Sequence, residues 1–340
     1  MHKPVIPAAP AESPAEEPPA GRRGLRTPGL PLVTVLVVAA VALRPVLTGL
    51  LDRPAAANWA TVFVAITIQA VPFLVLGVAV SAAIAAFVPP GAIARWLPGR
   101  PALAVPAAAA LGAALPGCEC GSVPIAARLA ASGVTPAAAF AFMLSAPAIN
   151  PIVLVSTAVA FPGNPEMVVA RLVAGVAASV GMGLLWIVLG RDDLLTRAAR
   201  TPHAGDGSRP AVFLATAQHD FLQAGGFLVI GAGAAAALQT LVPRSLVDSL
   251  ASPGPVSLLV LAVFAVLISL CSEADAFVAA GLKQFSLSAR LAFLVVGPMV
   301  DLKLFALQAG TFGLRFAWRF SLATFVVATG SAALVGWWLL

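Results

Sequence analysis

The sequence predicts an all-α polytopic membrane protein made of two inverted-topology repeats, each holding a re-entrant or short-helix hairpin and a broken helix. Three observations carry that prediction: an extreme apolar composition, an internal repeat, and polar interruptions at matching places in both repeats. Of 340 residues, 60% are apolar and 10% charged, where a soluble domain carries about 25% charged residues. With a mean hydropathy of +0.98, a water-exposed fold would have to present apolar surface that water does not tolerate. Disorder, nucleic-acid binding and a disulfide-rich secreted scaffold are excluded as the main architecture. The formal charge of +6 lies mostly beside apolar runs, where Lys and Arg set topology rather than contact phosphate.

Taken in order, residues 1–29 are rich in Pro, Ala and Glu and turn basic at Arg22, Arg23 and Arg26. Such a composition buries no core and reads as a disordered N-terminal tail. Residues 30–51 form an extra N-terminal transmembrane helix; the long leader and the interrupting Arg44 argue against a cleaved signal. Residues 58–190 make membrane repeat 1, 191–210 a polar cytoplasmic linker, and 211–340 membrane repeat 2. The repeat is visible in the letters. Ile68–Gly77 and Leu222–Gly231 agree at six of ten positions, at an offset of 154. Val88-Pro89 matches Val242-Pro243, Cys118 matches Cys271, Pro147 matches Pro298, and Asn150 falls on Asp301. A collinear series of this kind marks a tandem duplication, a common transporter plan.

A full span needs about 20 apolar residues. The runs 59–88, 136–161, 166–189, 212–242, 288–310 and 316–340 satisfy that length. The stretches 101–116 and 121–134 are short and meet at Pro116-Gly117-Cys118-Glu119-Cys120-Gly121, a turn sequence. In the second half, 255–270 and 276–287 meet at Cys271-Ser272-Glu273-Ala274-Asp275. Polar non-helical backbone is allowed at membrane depth only inside protein or against a wet cavity. With the N-terminus cytoplasmic and each hairpin counted as zero or two crossings, eleven Lys and Arg fall inside and four outside. The halves then run in opposite senses, with seven crossings plus two hairpins, or eleven if the hairpin legs span.

The chemistry gathers at the hairpin tips and helix breaks. Ser145, Pro147, Asn150 and Pro151 interrupt one apolar run; Gly297, Pro298, Asp301 and Lys303 interrupt its counterpart. Proline removes a backbone donor and frees carbonyls one turn back, and broken helices at midplane bind ions and polar solutes. Inversion brings both tips toward one axis, so Cys118, Glu119, Cys120, Asn150, Cys271, Glu273, Asp275 and Asp301 are expected to share one cavity for substrate binding or ion coupling. An ionised Asp at a helix centre costs at least about 2.5–3.5 kcal/mol, so four buried acids without a use are improbable. The alternative is that some sit at the membrane surface and that Lys303 merely neutralises Asp301. All three cysteines of the chain lie at the tips, too few for a paired disulfide framework. Thiolates suit soft metals and metalloids, while a buried free Cys is also an ordinary small apolar residue. Gln69 and Gln223 read equally as pore lining or as interhelical hydrogen bonding. His219-Asp220 reads as an interfacial pair or a proton relay, and Arg128 and Arg171 as snorkelling or paired.

The segment Pro116–Pro124, with Gly133 and Ala146-Pro147-Ala148-Ile149-Asn150-Pro151 downstream, resembles a family of predicted bacterial permeases that includes the organoarsenical efflux permeases. Cys271–Ala276 followed by Gly297-Pro298-Met299-Val300-Asp301 and Lys303 resembles that family's second signature. The resemblance covers roughly residues 60–335 and implies a multi-pass plasma-membrane permease whose substrate is open. The leading expectation is a secondary transporter that exports a small solute by alternating access, a trivalent organoarsenical being the candidate, with Glu273, Asp275 or Asp301 coupling protons. The alternatives are a permease for an unrelated polar solute or metal cation, and an intramembrane thiol oxidoreductase using Cys118 and Cys120. No P-loop is present. No cofactor, resident metal, catalytic residue or nucleic-acid partner is expected; the partners are a small-molecule or metalloid substrate and the lipid bilayer, with a homo-oligomer left open.

Overall fold

A computed structural model describes residues 54–89, 91–115, 118–190, 208–241 and 255–340. The expected tail 1–29, the helix 30–51, most of the linker 191–210 and the Val242-Pro243 pair lie outside these residues. All regular structure among the described residues is helical. In chain order the helices are α1 (Pro54–Phe87), α2 (Ala92–Trp96), α3 (Pro101–Ala114), α4 (Glu119–Ala131), α5 (Pro136–Ala148), α6 (Pro151–Ala160) and α7 (Pro165–Leu189). The second half supplies α8 (Arg209–Leu241), α9 (Pro255–Ile268), α10 (Ser272–Gly281), α11 (Leu287–Val296), α12 (Leu302–Thr311) and α13 (Leu314–Leu339).

Proline sets many of the starts. Pro101, Pro136, Pro151 and Pro165 open α3, α5, α6 and α7, where the missing N–H is an orphan in any case and the fixed φ suits a helix. Each predicted short pair is two helices: α3 with α4, and α9 with α10. The apolar run 136–161 breaks at Ile149-Asn150 between α5 and α6, and 288–310 breaks over Gly297–Asp301 between α11 and α12.

Five described helical stretches are long and apolar enough to cross a bilayer: 54–87, 136–160, 165–189, 209–240 and 314–339. They are not equivalent. In its central window the broken span 136–160 is 78% buried, against 28–33% for the other four. The broken span is therefore the inner one. The outer helices are apolar all round, as lipid requires; Ile68, Val75, Leu222, Ile230, Leu322 and Val326 face outward. Phe140 of α5, Trp186 of α7, Phe312, and Phe316 and Phe320 of α13 form one aromatic stack, with centroid spacings of 4.7–6.0 Å.

Small residues let the helices carrying the polar segments approach closely, the usual packing device where lipid offers no hydrophobic contrast. A Cβ on Gly77 of α1 would strike the backbone of Gly121 in α4. Gly231 of α8, 154 positions further on, lies against the backbone of Lys303 at the start of α12, 2.8 Å from where its Cβ would stand. Helix α4 packs on α12, and α10 packs on α6, so each short helix meets the second segment of the other half's broken helix.

This packing yields a stability prediction. Gly77→Ala is expected to cost about 1–3 kcal/mol through overpacking against α4. Gly226→Ala, which meets nothing within 4 Å, is expected to stay within about 0.5 kcal/mol. Melting of the two variants in detergent micelles checks both.

Candidate functional site

The four polar segments converge. At the first break, Asn150 caps α6: its Oδ1 accepts from the Val153 N–H at 3.0 Å, and its Nδ2 donates to the Ala146 carbonyl at 2.9 Å. One side chain thereby satisfies a donor of the new helix and a carbonyl of the old one, as a buried break requires. At the second break, Asp301 caps α12 by accepting from the Leu304 N–H. Asn150 and Asp301 thus share a capping role, with one difference. The second cap carries a charge.

At the tips, Cys118 and Cys271 occupy the N-cap positions of α4 and α10 in extended backbone, and neither makes a side-chain capping bond. Ser269, just before the second tip, has φ 50, a left-handed conformation uncommon for a residue with a Cβ, and it turns the chain into α10. Glu119 lies in the first turn of α4, and Glu273 and Asp275 in the first turn of α10, where the helix dipole favours negative charge.

Two buried cations organise these acids. Lys303 Nζ is 2.9 Å from Glu119 Oε1 and 3.3 Å from Asp301 Oδ2, with all three side chains about 1% exposed. It also donates to the Leu270 carbonyl at 3.4 Å. Arg171 of α7 is fully buried; it donates to Thr157 Oγ1 at 2.8 Å and to the Ser272 carbonyl at 3.2 Å. Glu119, Glu273, Asp275 and Asp301 all lie within electrostatic reach of Lys303, and Glu273 and Asp275 also of Arg171. Glu119 Oε2, Glu273 Oε2 and Asp275 Oδ2 are buried without a hydrogen-bond partner. Asp275 Oδ2 is 2.9 Å from where a Cβ on Gly297 would stand, so the glycine at the second break makes room for that carboxylate.

The cysteines are free and buried. Cys118 lies within electrostatic reach of Cys120, and Cys271 lies within electrostatic reach of Cys118, Glu119 and Lys303. Among the described residues no three His, Cys, Asp or Glu side chains are placed to hold a metal ion, so the three thiols are neighbours without forming a closed cage. Of the eight residues selected from sequence, seven form this one electrostatic cluster. Asn150 joins it through α6, which packs on α10.

Other polar residues fall elsewhere. Asp220 accepts from Ser81 at 2.9 Å and pairs with Arg128 at 3.5 Å, while His219 is exposed. The His219-Asp220 relay is therefore not assembled, and Arg128 is paired. Gln223 donates to the Gly310 carbonyl at 3.1 Å, an interhelical bond between α8 and α12; Gln69 is exposed. Arg171 does not snorkel to the surface. Sequence reasoning gave it no place in the site, although the burial cost applied to the acids applies equally to a lone Arg in an apolar run.

The described residues are all-helical, with broken helices meeting at a buried ionic cluster, and the family match assigns the chain to the class of membrane permeases. Residues 55–336 match the predicted permease family ArsP_1, and the chain belongs to that family. It is 38% identical over 273 residues to the UPF0718 protein YcgR of Bacillus subtilis (strain 168), covering 78% of this chain and 92% of that protein. It is 31% identical over 266 residues to a Streptococcus mutans serotype c protein, provisionally named a two-component membrane permease complex subunit, covering 76% of this chain and 88% of that one. No solved structure matches the chain.

The ion cluster predicts a strong coupling. Lys303→Met leaves two buried carboxylates without their cation and is expected to cost about 3–5 kcal/mol. Adding Glu119→Gln is expected to recover part of that loss, with a coupling of about 0.5–3 kcal/mol in a double-mutant cycle measured by melting in micelles.

Proposed function

We propose that this permease is a secondary transporter that exports a small solute across the plasma membrane by alternating access, driven by protons taken up at the buried acids. The carrying observation is the charge balance at the point where the short helices meet the broken ones. Four carboxylates, Glu119, Glu273, Asp275 and Asp301, share two cations, Lys303 and Arg171. Glu119, Asp275 and Asp301 are fully buried and Glu273 half-buried, and unbalanced charge at such depth is costly. Two further positive charges, carried by protons or by a cationic solute, complete it. A cluster that is incomplete without an imported charge is suited to coupling, since filling it changes the stability of one conformation relative to another.

The inverted repeat is part of this reading. The matching packing of α4 on α12 and α10 on α6 supports it, as do Gly77 and Gly231, which occupy equivalent sequence positions and both make close backbone approaches. The positive-charge count supports a cytoplasmic N-terminus, with the linker 191–210 on the same side. The solute class favoured by the thiols is a trivalent organoarsenical. A methylarsenite carries two As–OH groups; each exchanges for an As–S bond to a cysteine, the thiol proton leaving with the hydroxide as water. Cys118 and Cys120, neighbours at the first tip within electrostatic reach of each other, are the pair of thiols for this exchange, and the soft ligand set suits the metalloid. The streptococcal relative's name also points to a second membrane subunit as a partner for this chain.

The test is uptake of trivalent methylarsenite into everted membrane vesicles at imposed pH gradients, with and without the protein. Gradient-driven accumulation is expected, falling at least tenfold in Asp275→Asn and in Cys118→Ser/Cys120→Ser. Absence of accumulation by folded protein would sink the arsenical and leave the acids to a different cation or polar solute.

A further inference from the structure

We infer that Lys303 and Arg171 are reciprocal latches: each cation reaches from one half of the chain to hold the first turn of the other half's short helix, and releasing one latch opens the site to one side of the membrane. The inference rests on the alternating-access reading and adds the residues that perform the gating.

Its basis is the crossing of the contacts. Lys303 belongs to the second half and holds Glu119, the first residue of α4 in the first half, at 2.9 Å, while its longer 3.4 Å bond to the Leu270 carbonyl stays within its own half. Arg171 belongs to the first half and holds the carbonyl of Ser272, the first residue of α10 in the second half. The first turns of α6, α11 and α12 are tied by their own caps, Asn150, Ser286 and Asp301. Helices α4 and α10 begin at Cys118 and Cys271, which supply no side-chain cap. Helices α3, α5, α7 and α13 also start without a side-chain cap; what sets the starts of α4 and α10 apart is the contact from the opposite half. Each of these two starts is gripped by a cation from the opposite half, which donates to an oxygen of the first residue and so differs from a cap, which accepts from a first-turn N–H.

The latches differ in kind. Lys303 is a point charge between two carboxylates, whereas Arg171 makes two separate hydrogen bonds to neutral oxygens, Thr157 Oγ1 and Ser272 O. Each holds a tip through one or two contacts rather than through a packed apolar surface. Replacing a buried ion pair by apolar packing is often neutral or stabilising, so such pairs are poor at adding stability and better suited to specifying one arrangement over another. Contacts of this sort break and re-form as units. The two positions are not equivalent in the sequence repeat, so the reciprocity belongs to the assembled structure.

The chain carries its own reporters. Its three cysteines are buried, with Cys118 and Cys120 flanking Glu119 and Cys271 next to Ser272. A charged, membrane-impermeant maleimide is applied to right-side-out and everted vesicles, and labelled peptides are counted by mass spectrometry. Glu119→Gln, which weakens the first latch without removing the cation, is expected to raise labelling of Cys118 and Cys120 at least tenfold from one side of the membrane, with Cys271 changing less than twofold. Arg171→Met is expected to expose Cys271 from the opposite side and leave the other two protected. Thr157→Val gives a milder change of the same pattern and serves if Arg171→Met does not fold.

Equal exposure of all three cysteines in either variant would overturn the proposal, since the contact would then be general packing. So would unchanged protection in both, or exposure of both tips from the same side. The assay needs no substrate. A protein that moves no methylarsenite still gives the tip-selective pattern if the latches are real, and a transporting protein with no tip selectivity has its gates elsewhere.

Discussion

The fold is organised around one desolvated ammonium. Lys303 sits at about 1% exposure with carboxylates from two different elements on it, and a lone buried ammonium would be prohibitively costly. That requirement fixes three things together. It holds the start of α4, because Glu119 must come to the lysine. It shapes the break before α12, because Asp301 both caps that helix and neutralises the charge. It draws the two halves of the chain together, because Glu119 and Lys303 are 184 positions apart.

Close backbone approach makes the arrangement possible. The Lys303 backbone packs directly on Gly231 of α8, and the first turn of α4 packs on Gly77 of α1. Side chains at either glycine would push the polar segments outward and lengthen the ion pairs. At the second break Gly297 serves the same end, since the Asp275 carboxylate takes up the space of its missing side chain. The lipid-facing helices therefore do more than shield the site. Their small residues set the depth at which its charges lie.

Much of the fold was legible in the sequence, and for definite reasons. Long apolar runs gave α1, α7, α8 and α13, because hydropathy is strong when the solvent is lipid. Proline and glycine marked both breaks and several helix starts, because they act on the backbone locally and need no partner. Glu119, Glu273, Asp275 and Asp301 stood out because an ionised carboxylate in an apolar run is expensive wherever it points. The role of Lys303 was underestimated: adjacency to Asp301 suggested local neutralisation, whereas its shorter contact is to Glu119. Arg171 was missed because its partners, a threonine hydroxyl and a backbone carbonyl, leave no charge pattern in the letters. Conversely, His219-Asp220 looked like a pair only because the residues are neighbours; on a helix, successive side chains diverge, and Asp220 turns inward to Arg128 while His219 does not.

By itself the sequence determined the solvent in which this protein folds, the places where its helices start and break, and the residue types available at each interruption. These follow from transfer free energies and backbone restrictions that act residue by residue. The tertiary structure alone decided which charges meet. Pairing across the halves depends on how deeply the helices approach and on which face of each helix a side chain leaves. The crossed holds of Lys303 on the first tip and Arg171 on the second are properties of that geometry.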